Sequence, residues 1–171
     1  MAGPRKTASK DGTGAAGARI LVVEARYYEP IADALLAGVR RALDGAGASY
    51  EIVTVPGALE IPTALAIVLD AAAAKKRPYD GAVATGCVVR GDTIHFEIVS
   101  EQSARGLMDV SVARKIPIGN AILTVENEAQ AEFRASLSDG DKGGEAARAA
   151  LTLIGIKRAV ADARASRGRK R

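Results

Sequence analysis

Short, wholly apolar runs alternate with amphipathic stretches along most of the chain. Ile20-Leu21-Val22-Val23 has the character of a buried strand. From Pro30, the apolar positions Ile31, Ala34, Leu35, Val39 and Leu43 recur at helical spacing, and Gly45 and Gly47 punctuate the end. Tyr50, Ile52, Val53, Thr54 and Val55 are strand formers halted by Pro56-Gly57. Ala58 to Ala74 reads as a helix with Pro62 in its first turn, where proline is tolerated. Residues 80–89 predict a third strand, Thr93 to about Arg114 a long helix, and Ile116 to Thr124 a fourth strand. Next comes a short helix from Glu126 to about Leu137. After the polar, glycine-bearing break Asp139 to Gly144, a helix from Glu145 to about Ala163 closes the pattern.

Strand and helix alternate throughout, and the strands are too apolar for a sheet wetted on one face. The fold class is therefore α/β, with a four-stranded parallel sheet covered by helices on both faces. The 171 residues suit one domain, placed at residues 18–164. Residues 1–17 lack periodicity and are expected to be disordered, or ordered only against a neighbour. Residues 165–171 read as a basic tail.

Composition sharpens this picture in three ways. Aromatics make up only 4%, so the core must be built from Ala, Val, Leu and Ile. A single cysteine, Cys87, excludes an intramolecular disulfide and any multi-cysteine metal site. No apolar run approaches the roughly 20 residues that span a bilayer, and the N-terminus has no secretory apolar region. A cytoplasmic protein is expected. The net charge of +4 is unevenly placed: residues 1–17 carry +2 and residues 157–171 carry +6, which leaves −4 on the body between them. The basic ends offer nonspecific contact with nucleic acid, but the body has no aromatic platform for it, and neither specific nucleic acid nor a membrane is an expected partner.

Candidate chemistry concentrates in Gly86-Cys87-Val88-Val89-Arg90-Gly91-Asp92-Thr93-Ile94-His95-Phe96-Glu97. Here a buried strand ends at an Arg-Gly turn and feeds a helix that carries the one histidine. Free backbone N–H groups and the helix dipole make such a turn an anion site. Imidazole near it, expected one turn into the helix, can move protons close to neutral pH. Ligands of parallel sheets bind beyond the carboxyl ends of the strands. Four stretches are expected to converge there: Arg26-Tyr27-Tyr28, Pro56 to Glu60, Cys87 to His95, and the chain from Asn120 onward.

Four ordered segments resemble the 6,7-dimethyl-8-ribityllumazine synthase family: Val55-Pro56-Gly57-Ala58-Leu59-Glu60-Ile61-Pro62, Gly86 through Phe96, Ile122 through Asn127, and Asp141-Lys142-Gly143-Gly144-Glu145-Ala146-Ala147. The resemblance implies a flavodoxin-like, three-layer α/β/α domain whose sheet is open to a further strand from a neighbour's N-terminal segment. It implies condensation of 5-amino-6-(D-ribitylamino)uracil with 3,4-dihydroxy-2-butanone 4-phosphate, with no cofactor and no metal. It also implies homopentamers, paired pentamers or 60-subunit capsids, with active sites between subunits. Ser136 to Lys142 lacks the run typical of capsid-forming relatives, which points to free or paired pentamers.

Residue by residue, the resemblance assigns Gly91, Asp92 and Thr93 to the ketone's phosphate, with Arg134 reaching it from the adjacent subunit and Lys142 as a secondary candidate. Asp92 stands where relatives carry a small neutral residue, so its role there is a backbone one. His95 is the implied proton shuttle. Tyr27 matches the aromatic that stacks on the pyrimidine. Ala58, Leu59 and Glu60 match the segment holding the ribityl chain, and Cys87, Val88 and Val89 line the ring. Asn120 is likewise assigned to the pyrimidine ring, where relatives carry phenylalanine, and Tyr28 stands where they carry asparagine. Three other readings stay open: a flavin- or lumazine-binding protein with weak or no catalysis, a signalling or nucleotide-binding domain of the same topology, and a nucleic-acid-associated protein driven by the tail from Lys157 to Arg171.

Overall fold

The computed structural model describes residues 14–168. Four parallel strands form one sheet in the order β2-β1-β3-β4: β1 (Arg19–Ala25), β2 (Ser49–Val55), β3 (Gly81–Val89) and β4 (Ile118–Val125). The helices are α1 (Glu29–Gly45), α2 (Glu60–Ala74), α3 (His95–Arg114), α4 (Glu128–Ala135) and α5 (Lys142–Gly168).

Side chains alternate across each strand, so the sheet feeds two separate cores. Ile20, Val22, Val83, Leu123 and Val125 pack with Leu35, Val39, Leu43, Leu151 and Ile154 of α1 and α5. Leu21, Val23, Ala82 and Ala84 pack with Ile61, Leu65 and Leu69 of α2 and Leu107 of α3. The result is a three-layer α/β/α sandwich built from aliphatic side chains.

Glycine permits a close approach. A Cβ on Gly143 would overlap the carbonyl of Leu35 in α1, so the first turn of α5 can lie against α1 only without a side chain there.

Several boundaries differ from the sequence reading. The structure begins α2 at Glu60 and α3 at His95, because Ala58-Leu59 and Asp92 to Ile94 form turns first. His95 is thus the first helical residue rather than one turn in. The α5 helix starts at Lys142 and runs through the expected boundary at 164 to Gly168. The expected disorder of residues 1–17 falls, up to residue 13, outside the described residues. Residues 14–17 are instead packed down: Ala15 is fully buried, Gly17 N–H donates to the carbonyl of Gly47 at 3.1 Å, and Arg158 donates to the carbonyls of Gly14 and Ala16, both at 3.0 Å. Of the expected tail, residues 169–171 lie outside the described residues.

Candidate active site

The carboxyl ends of β1, β2 and β3 open into one cleft of about 480 Å³. Tyr27, Ala58, Leu59, Glu60, Cys87, Val88, Val89 and His95 all line it, together with Tyr28, Pro56, Gly57 and Val99. Three loops far apart in sequence therefore meet as parallel-sheet topology requires.

One wall is aromatic. Tyr27 and Tyr28 meet edge to face, with ring centroids 5.0 Å apart and planes at 68°. Tyr27 is 76% exposed, so its face is free for a planar ligand. A chain of polar contacts holds the turn that carries it. The buried Glu24 accepts from Thr54 Oγ1 at 3.0 Å and from Arg26 Nη1 at 3.1 Å, while Arg26 Nη2 donates to Asp33 at 2.5 Å. Burial raises the Tyr28 hydroxyl above its ordinary range, so it remains a protonated donor at neutral pH.

The floor comes from β3. Cys87 is half-buried, and desolvation, helped by the negative charge of Glu128, pushes its thiol up to about 11. It is a small neutral lining group. Opposite, Glu60 opens α2, where a carboxylate is favoured by the helix dipole. Gly57 keeps that carboxylate close: a Cβ on Gly57 would sit 2.9 Å from Glu60 Oε2.

His95 stands at the start of α3, exposed, with its backbone N–H donating to Thr93 Oγ1 at 3.4 Å. The preceding turn is tied down by Arg90. Its Nε donates to Glu126 at 2.6 Å and its Nη1 to Glu97 at 2.5 Å, and the guanidinium lies 4.1 Å above the Phe96 ring. Its backbone N–H donates to the carbonyl of Val125 at 2.9 Å. The Arg90 contact also holds the Glu97 carboxyl below the usual carboxylate range.

Six assigned residues do not line the cleft of the single chain. Gly91, Asp92 and Thr93 form an exposed turn beside it. Arg134 is exposed in the last turn of α4, and Lys142 pairs with Glu145 in the first turn of α5. Asn120 departs furthest from expectation. It pairs in register with Ala84, three positions before Cys87, so it stands well below the carboxyl end. Its side-chain oxygen already accepts from the N–H of Ile122 at 2.8 Å. Val99 was missed by sequence reasoning; its signal is its position one helical turn after His95 on the same face.

Comparisons with known proteins identify the family. A family model described as 6,7-dimethyl-8-ribityllumazine synthase matches residues 17–158. The chain belongs to this family. It is 60% identical to the lumazine synthase of Afipia carboxidovorans over 161 residues, covering 94% of this chain and 99% of that protein. Identity to the Nitrobacter hamburgensis lumazine synthase is likewise 60%, covering 95% and 100%. The lumazine synthase of Methylorubrum extorquens strain PA1 is 60% identical over 145 residues, covering 85% and 84%. Membership in the lumazine synthase family accounts for the four ordered segments and for the parallel sandwich that carries them. Among the described residues no helix is long and apolar enough to cross a membrane.

Proposed function

We propose that this chain condenses 5-amino-6-(D-ribitylamino)uracil with 3,4-dihydroxy-2-butanone 4-phosphate to 6,7-dimethyl-8-ribityllumazine, releasing phosphate and water. The observation that carries this reading is the cleft in which Tyr27, Glu60, Cys87 and His95 face one another, in a chain of the lumazine synthase family.

Each surface of the cleft has a task in this reaction. The pyrimidine stacks on Tyr27 and lies along Cys87, Val88 and Val89. Its ribityl hydroxyls donate to Glu60 beside Ala58 and Leu59. The phosphate of the ketone sits on the backbone of Gly91, Asp92 and Thr93, at the free N–H groups that open α3. Arg134 of a neighbouring copy completes the anion site, since a planar guanidinium suits bidentate phosphate contact. Lys142 plays a secondary part there. Asn120 faces no ring within its own chain, and any ligand role for it also lies across the seam.

The amine attacks the ketone to form a carbinolamine, which loses water to an imine. Elimination of phosphate, enolisation, ring closure and a second loss of water complete the sequence. Each step moves a proton, and His95 lies beside both substrate positions to accept and return it. Much of the acceleration comes from holding two reactants in register. The working unit is a cytoplasmic homo-oligomer built on pentamers.

A two-substrate assay tests the proposal. Purified protein mixed with the diaminouracil and the phosphorylated ketone forms the lumazine, with one phosphate released per product. Tight retention of a finished heterocycle without turnover would instead make the chain a binding protein.

A further inference from the structure

The Arg90 side chain lies next to the proposed anion turn, yet its geometry gives it a different task. The chain leaves Arg90, passes through residues 91–95, and returns to Arg90 at Phe96 and Glu97. Glu97 accepts from Nη1 at 2.5 Å, and the Phe96 ring lies 4.1 Å from the guanidinium carbon. Nε reaches the other way, to Glu126 just past the end of β4, at 2.6 Å. The Arg90 backbone N–H adds a bond to Val125 of that strand's last position. The guanidinium therefore closes residues 91–95 into a ring and fastens that ring to the sheet edge.

We infer that Arg90 is a positioning residue: it holds Thr93 and His95 in the geometry that binds phosphate and transfers protons, and does not itself bind the phosphate. This rests on the anion-turn assignment made above. Two carboxylates already take its Nε and Nη1 and offset its charge, which leaves it little pull on a phosphate. The work is done by a planar fork with a face and two separate donor edges. Lysine keeps the charge but offers one ammonium and no plane, so it can satisfy one partner at a time. A direct phosphate ligand would be largely rescued by lysine, whereas a clamp is not.

The test is steady-state kinetics of the assembled enzyme carrying R90K, with inorganic phosphate as a competitive inhibitor against the ketone and T93A as a parallel variant. R90K is expected to raise KM for the phosphorylated ketone about tenfold or more, since small displacements near reacting groups are costly. It weakens inhibition by phosphate to a similar extent, lowers kcat, and leaves KM for the pyrimidine unchanged. F96L, which removes the stacked face and keeps both ion pairs, gives the same split at smaller size and serves if R90K does not assemble. Loss of phosphate inhibition in T93A with none in R90K or F96L overturns the clamp alone. No loss in any of the three overturns the anion turn itself, and the clamp with it.

Discussion

Tyr27, two residues past β1, and His95, at the first turn of α3, face the same cleft. In the proposed reaction, this pairing sets a flat apolar surface and a proton-transfer group against the same two reactants. Replacing the imidazole should therefore slow chemistry while leaving binding nearly intact. His95→Ala is expected to lower kcat about a hundredfold, the usual scale for general acid–base work. Turnover persists because the orientation of the two substrates survives. Steady-state kinetics on both substrates checks this, and unaltered kcat would remove His95 from the mechanism.

The exposed ring of Tyr27 makes a separable prediction. Its stacking contribution is about 0.5–1.5 kcal/mol beyond the area it covers. Tyr27→Ala should raise KM for the pyrimidine about tenfold and leave KM for the ketone phosphate unaltered. Tyr27→Phe should stay close to the parent protein, since the ring and not the hydroxyl supplies the surface. Equal effects of Ala and Phe would transfer the role to the hydroxyl.

Cys87 provides a pH-dependent signature of the cleft floor. Burial disfavours the charged thiolate and pushes the group up to about 11. Only the thiolate reacts with alkylating agents. Labelling of Cys87 should thus be very slow at neutral pH, rise about tenfold per pH unit, and still be rising where a free thiol of ordinary pKa near 8.5 has levelled off. Mass-spectrometric labelling rates measured across that range decide it; a plateau near pH 9 contradicts the buried, unactivated thiol.

The strands are largely legible in the sequence because a doubly covered parallel sheet writes itself as uninterrupted apolar runs. Val83 and Ala84 face opposite cores, and both have to be apolar. Helix starts are less legible. Neither α2 nor α3 has a capping side chain: Leu59 and Ile94 occupy the N-cap positions. Nothing in those residue types marks where the turn ends, so the sequence pattern starts both helices two residues early. The start of α5 misleads for the opposite reason. Gly143-Gly144 has low helix propensity, but close contact with Leu35 and with the Asp141 side chain demands glycine there, and packing overrides propensity.

Candidate site residues divide along the same line. Those on the carboxyl ends of one chain's strands, such as Tyr27 and Cys87, come directly from topology. Arg134, Lys142 and Asn120 lie away from that cleft, so topology within one chain does not reach them. The clamp around Arg90 is not legible in sequence, because Glu126 lies just past the end of another strand, 36 residues away.

In the proposed enzyme, one copy's His95 works with another copy's Arg134. Each of H95A and R134A, alone, is expected to be strongly impaired. Co-refolding the two in equal amounts should restore about a quarter of parental activity, because random assembly places an intact His95 beside an intact Arg134 at that fraction of seams. Activity that stays at the average of the two single variants would contradict a shared site.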